Sequence, residues 1–299
     1  MPKLLIPVPP DFSFRFTIRS HGWYDLAPFV IEDADETLGF VFSSENMKPS
    51  FATMRATNGA VEVAIEDESA DVDSITRDVR HILRLDDDLS AFYASTQKLS
   101  RVEWASNHKA GRLLRSPTVW EDLVKTICTT NCTWSVTRGM VAKLVEHLGE
   151  ETACGRRAFP TAAAIASRDA AFYRETIRAG YRSDYFAELA LSVAEIRIDP
   201  ESWLTSELST ADLKKEMKKV KGVGDYAAEN LLKLVGRYDG MALDSWLRAG
   251  FYKKHNGGKK CEDKKIEKHY GKFGDWKGLA IWCDMTEDWF IENAKVATD

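Results

Sequence analysis

The chain has 299 residues, of which 44% are hydrophobic and 29% charged, with a formal net charge of −5. That length suits two domains or one large one, and the composition is ordinary for a soluble globular protein. No apolar run reaches eighteen residues, which excludes a membrane-spanning helix, and the opening "MPKLLIPVPPDF" is too short and too proline-broken for a secretory signal. The expected location is therefore cytoplasmic (nucleoid) or nuclear, not secreted and not at a membrane.

From residue 11 to 65 the pattern reads as strands. "FSFRFTI", "LGFVFS" and "VEVAI" alternate at period two, and "NMKPS" and "TNGA" carry turn chemistry. An antiparallel sheet with one wet face is expected. The period changes near residue 70. "DVDSITRDVRHILRL" places Val72, Ile75, Val79, Ile82 and Leu83 on one helical face, with Asp71 or Asp73 as cap. Beyond residue 100 everything reads as helix. "SPTVWEDLVKTIC" opens with Ser116 as cap and Pro117 in the first helical position, and "TRGMVAKLVEHLG" stops on Gly149 in the manner of a left-handed C-terminal glycine. Short helices follow in "FPTAAAIAS", "DAAFYRETIRAG", "SDYFAELALSVAEI" and "DPESWLTSEL". The fold class is α+β: an N-terminal β-rich unit with flanking helices over 1–105, then a mainly helical domain over 106–299.

The five cysteines, Cys128, Cys132, Cys154, Cys261 and Cys283, are odd in number and widely spaced. They predict neither a disulfide framework nor a zinc or iron–sulfur site, and no metal is expected. Charge is uneven. Residues 31–90 carry fifteen acids against five Lys/Arg, while 253–272 carry eight lysines against three acids. Local basic stripes decide affinity for nucleic acid more than net charge does.

The most informative stretch is "LKKEMKKVKGVGDYAAENLLKLV". Leu213, Met217 and Val220 form one short amphipathic helix, and Ala227, Ala228, Leu231, Leu232 and Val235 the face of a second. Gly222-Val223-Gly224 makes the turn between them. Glycines permit positive φ and close backbone approach, and the turn's N–H groups suit a phosphate. Lys221, Gly222, Val223 and Gly224 are accordingly the candidate DNA-backbone contacts. Asp244 follows twenty residues beyond Gly224 in "GRYDGMALDSWLRAGF". Alone it reads as a helix cap. After the hairpin it also reads as a carboxylate held near a clamped strand.

This hairpin-then-aspartate pattern resembles the helix–hairpin–helix DNA glycosylase superfamily. "TICTTNCTWSVTRGMVAKLVEHLG" resembles the helix pair that reads the opposite strand in 8-oxoguanine DNA glycosylases. "AGYRSDYFAELA" is similar to their Gly-Tyr-Arg segment and "FPTAAAIA" to their Phe-Pro link. "HGWYDLAPF" is similar to the N-terminal strand region of bacterial 3-methyladenine DNA glycosylase II. The resemblance spans most of residues 11–290. It implies double-stranded DNA containing a damaged base as partner, a monomer, no cofactor, and room for a monovalent cation at the hairpin carbonyls. It implies Asp244 as the catalytic carboxylate, stabilising positive charge on the sugar as the base departs. It implies that Asn131 fills the space of the extruded base, with Arg182 on the same face. Tyr226, Trp282, Trp246 and Cys128 are the candidate base pocket.

Two departures sharpen this. Bifunctional members carry a lysine where Tyr226 stands, and a phenol forms no imine, so base release without strand cleavage is expected. The glutamine that reads 8-oxoguanine aligns with Gly278, and the stacking phenylalanine with Trp282. An aromatic pocket without that polar reader favours cationic, alkylated purines. Alternatives are an oxidised-purine glycosylase with a modified pocket, or a non-catalytic damage-binding protein, the latter disfavoured by Asp244.

Overall fold

The computed structural model describes residues 2–32, 36–44 and 47–296. Five strands form one antiparallel sheet: β1 (Lys3–Pro7), β2 (Val30–Glu32), β3 (Thr37–Ser44), β4 (Met47–Thr57) and β5 (Ala60–Ile65), in the order β1-β5-β4-β3-β2. The alternation in "VEVAI" puts Val61, Val63 and Ile65 into the core, and the turn expected at "TNGA" joins β4 to β5, with Gly59 at φ +75°. The strand β1 lay outside the expected sheet region. Its prolines obscure a strand that pairs with β5 from Lys3↔Ala64 to Pro7↔Ala60.

Three local expectations need correction. "FSFRFTI" is no strand but holds a helix, α1 (Phe14–Ile18). Its period of two arises because both faces are covered: Phe14 and Ile18 pack under the sheet, while Phe16 packs on Trp104 and Phe290. "HGWYDLAPF" likewise contains a 3-10 turn, Gly22–Asp25, ahead of β2. "NMKPS" is not a turn. Asn46 lies outside the described residues, and Met47 to Ser50 begin β4. Pro49 is tolerated there because the β3–β4 register shifts between Phe42 and Ser44 and pairing with β5 starts only at Ala52.

The helices follow. Asp71 caps α2 (Val72–Ile82), accepting from the N–H groups of Asp73 and Ser74. The cap of α3 (Val119–Thr129) is Thr118, whose hydroxyl accepts from Glu121 N–H, rather than Ser116. The helix α4 (Trp134–Leu148) stops at Gly149 in an extended, not left-handed, conformation. Glycine is needed there for space, since a Cβ would lie 2.1 Å from the Ala158 carbonyl oxygen. Then come α5 (Ser183–Ala194), α6 (Thr210–Met217), α7 (Asp225–Leu234), α8 (Ser245–His255), α9 (Asp263–Tyr270) and α10 (Lys277–Val296). Among the described residues no helix is long and apolar enough to cross a membrane.

Two large apolar cores result, beside a small cluster of Val41, Phe51 and Ala158. One joins the sheet to α2 through α7. The other joins residues between Leu89 and Leu113 to the C-terminal helices, around Phe92, Trp104, Phe251, Tyr270 and Ile281. Arg84 links them. It is 0% exposed, and its guanidinium donates to Leu113 O (2.7 Å), Lys233 O (2.8 Å), Leu234 O and the Asp87 carboxylate (2.7 Å). Replacing it leaves these buried acceptors without donors. Arg84→Met is expected to lower unfolding free energy by about 3–5 kcal/mol, read as a fall in the urea midpoint. An unchanged midpoint would show that the link is dispensable.

Candidate active site

The hairpin forms from its own sequence. Ser209 caps α6, and Leu213 and Met217 bury its apolar face. The turn is closed by Val220 N–H to Met217 O (3.1 Å) and Val223 N–H to Val220 O (3.0 Å). Gly222 sits at φ +93°, and a Cβ there would lie 2.9 Å from the Tyr185 ring. Val223 is buried and anchors the turn. Gly224 starts α7 without a side-chain cap, and nothing lies within 4 Å of where its Cβ would stand. The first N–H groups of α7 thus have no side-chain cap to satisfy them.

The lysines around the turn are engaged. Lys221 Nζ meets Glu188 at 2.9 Å, and Lys214 and Lys218 both hold Asp225 at 3.1 Å. Burial is slight here, and the Glu188 hydrogen bond holds Lys221 above the usual lysine range. Exposed pairs of this kind contribute little and exchange readily for another anion. The hairpin's carbonyls retain acceptor capacity, since a carbonyl oxygen has two lone pairs and Val220 O uses one on Val223 N–H. That donor set fits a monovalent cation. None of the lysines of 253–272 lines the cleft described next.

Beside the hairpin runs a cleft of about 2120 Å³. Its walls carry Lys221 to Ala227 of the turn and the start of α7, Asp244 and Trp246 at the start of α8, Trp282 and Trp289 of α10, and Thr129 to Cys132 at the end of α3. Asp244 is the cap of α8: its Oδ1 accepts from Leu247 N–H at 2.7 Å. Its other oxygen takes no hydrogen bond among the described residues, and its charge is felt at Tyr226 and Lys233.

Tyr226, Asn230 and Lys233 share one face of α7, four and seven residues apart, and all line the cleft. Burial and then the Asp244 charge push the Tyr226 phenol up, while the side chains of Thr129 and Asn230 pull the other way. Lys233 is only 3% exposed. Its ammonium donates to Met241 O (3.2 Å) and lies 5.7 Å from the Trp282 ring centroid. Burial pulls it down to about 8, with Glu229 and Asp244 partly opposing. Its buried amine is the feature that a search for a lysine beside the hairpin underrates, because only the helical repeat carries it into the cleft.

Trp246, Trp282 and Trp289 form an aromatic wall with centroids 5.1 to 6.0 Å apart. Trp282 is fixed by Nε1–H to Ser20 O at 2.9 Å. Gly278 stands outside the cleft, pressed onto the 238–240 backbone, where a Cβ would come within 1.9 Å of Gly240 O. No polar reader fits at that position. His21 also lines the cleft, and burial lowers it to about 4.

Asn131 is exposed at φ +48° on the cleft rim, its Nδ2 3.3 Å from the Tyr181 hydroxyl. Arg182 corrects its expected role. It is 4% exposed, with Nε donating to Ile127 O (3.0 Å), so it anchors the Asn131 loop from behind rather than facing a strand. Tyr181, half exposed beside Asn131, occupies the rim instead. Cys128 also departs from expectation. It is fully buried in the α3 core and does not line the cleft; Cys132, one turn on, does.

No protein-family model and no curated protein matches the chain in sequence. Solved structures match in shape. MBOgg1 in complex with a low-affinity DNA ligand superposes with a TM-score of 0.78 at 18% identity, over 97% of this chain and 96% of that one. The 3-methyladenine DNA glycosylase from Archaeoglobus fulgidus gives 0.74 at 17%, over 97% and 99%. The Clostridium acetobutylicum 8-oxoguanine glycosylase/lyase, bound to double-stranded DNA with cytosine opposite 8-oxoguanine, gives 0.74 at 14%, over 94% and 93%. Nearly the whole chain thus carries the fold of these DNA glycosylases.

Proposed function

We propose that this protein is a DNA N-glycosylase of base excision repair, and that Asp244 is its catalytic carboxylate. The observation that carries the reading is the cleft itself. It brings the glycine hairpin, the Asp244 carboxylate and an aromatic wall to one surface. The Lys221–Gly224 turn and the free N–H groups of α7 hold a phosphate, and the hairpin ion pairs give way to it. The hairpin carbonyls would hold a monovalent cation, which would supply positive charge beside that phosphate. Asn131 and Tyr181 occupy the gap left in the duplex. The damaged base leaves the stack and lies against Trp246, Trp282 and Trp289. As the C1′–N bond breaks, its electron pair leaves with the base and Asp244 stabilises the positive sugar; water adds its hydroxide to C1′, and its proton goes to solvent when the base was cationic and departs neutral, or to the base when it was neutral and departs as an anion.

Asn caps helices as well as Asp does, so Asp244→Asn keeps α8 while removing the charge. Base release from damaged duplex is expected to fall on the order of 10²–10³-fold, with duplex binding retained. Unchanged release in that variant would falsify the mechanism and leave a binding protein.

Release is proposed to proceed without strand cleavage, because Tyr226 supplies no amine. Borohydride added during turnover is expected to trap no covalent DNA adduct. A trapped adduct that disappears in Lys233→Gln would replace this reading with a lyase acting through the buried amine.

The favoured substrate is an alkylated purine, for which the tryptophan wall and the closed Gly278 position argue. One observation favours an oxidised, neutral purine: the Lys233 ammonium already faces Trp282. The two readings separate with pH. Lys233 is protonated below about 8 and neutral above it. Release of a cationic base is expected to rise up to roughly tenfold from pH 7 to 9 as that like charge disappears. Release of a neutral base that accepts from the ammonium falls over the same range. In Lys233→Gln either slope flattens.

A further inference from the structure

A second polar cluster lies away from the cleft, where three helices meet. His255 ends α8, His269 lies in α9 and Asp284 lies in α10. One donor atom from each falls within 4.8 Å of the others. His255 Nε2 is 2.7 Å from Asp284 Oδ2, which also accepts from the Tyr270 hydroxyl at 2.6 Å.

Two buried atoms in this cluster have no hydrogen-bond partner: His269 Nε2 and Asp284 Oδ1. Asp284 is 0% exposed. A fully buried carboxylate oxygen left unpaired is costly, and so is a buried ring nitrogen beside it. With the ring proton on Nδ1, His269 Nε2 offers a lone pair as Asp284 Oδ1 does, and one acceptor of electron pairs between them satisfies both. Lys254 is not that partner. Its ammonium is turned to the Asp284 backbone carbonyl (2.6 Å), Glu287 (3.5 Å) and Asp288 (3.8 Å).

We propose that His255, His269 and Asp284 form a structural site for a divalent transition metal of the zinc class. Two imidazoles and a carboxylate are a nitrogen-rich donor set, which suits zinc over magnesium or calcium. On zinc, donors about 2.0–2.1 Å from the metal stand roughly 3.3 Å apart, so the widest gap closes with a side-chain shift of about 1.5 Å. The ion takes the place of the proton shared by His255 and Asp284, and water completes its fourth position. Tyr270 holds the carboxylate from outside, and Phe251 packs 5.3 Å from each imidazole ring, fixing their planes. The consequence reaches the cleft. The helix α8 runs from its cap Asp244 through Ser245 to His255, and Asp284 lies two residues from Trp282, so the ion would brace two cleft walls from behind.

The test needs no DNA and is independent of the proposed activity. Protein stripped with a chelator is titrated with Zn²⁺, and with Co²⁺ as a visible-absorption probe. One equivalent is expected to bind, raising Tm, with the d–d bands of a four-coordinate nitrogen–oxygen site. His269→Ala removes a group whose Nε2 makes no hydrogen bond, so its fold is expected to persist by circular dichroism. Its metal affinity is expected to fall by at least the ~10–100-fold that losing even an outer partner costs. His269→Gln serves as the second variant should the alanine form fail to fold. Absence of one-equivalent binding by the unaltered protein, or equal binding by a folded His269 variant, overturns the site.

Discussion

The geometry of the cleft depends on one buried guanidinium. Arg84, itself at φ +54°, lies between the two cores and satisfies the last carbonyls of α7, at Lys233 and Leu234. A helix C-terminus carries unpaired carbonyls and partial negative charge, and a planar cation with five donors meets both needs at once. Arg112 closes the arrangement by donating to the Arg84 and Asp87 carbonyls while it pairs with Asp11 at 3.0 Å. Arg115 adds a donor to His81 O and Leu234 O. These bonds pin the far end of α7. In this position Tyr226, Asn230 and Lys233 line the cleft and Leu231 and Leu232 are buried in the core.

The turn at Gly222 and the helix cap at Asp244 are legible in the sequence because their signals are local. Glycine at a positive-φ position, an aspartate before an apolar helical run and an asparagine in a short loop each state their geometry within a few residues. Arg182 and Cys128 were misread for the opposite reason. Whether an arginine faces solvent or ties down a loop depends on which carbonyls the fold brings near it, and Ile127 is distant in sequence. Cys128 and Cys132 differ by four residues, yet the helix ends between them, so one lies in the core and the other on the cleft. "FSFRFTI" failed as a strand because period two also describes a short helix covered on both faces. His255, His269 and Asp284 were invisible to a search by cysteine spacing, since three separate helices contribute them.

Interleaving of the two cores has a functional reading. Residues between Leu89 and Leu113 pack with the C-terminal helices, although they follow the sheet in sequence. The cleft therefore opens along a seam that the chain crosses more than once. Each wall has its own packing: Cys132 packs against the first core and Trp282 against the second. A ligand in the seam touches both without either needing to be cut open to admit it.

The two readings of Asp244, helix cap and reacting carboxylate, reinforce each other. The bond from Leu247 N–H to Oδ1 that starts α8 also restricts the rotation of the carboxylate, which is what the proposed role asks of it. Stabilisation of a developing positive charge is strongest when the stabilising group is already in place. A freely rotating aspartate on a loop would have to be ordered at the moment of reaction. By making the carboxylate part of a helix start, the fold sets its position through the same hydrogen bond that makes the helix, and the packing of α8 against α10 holds that helix against the tryptophan wall.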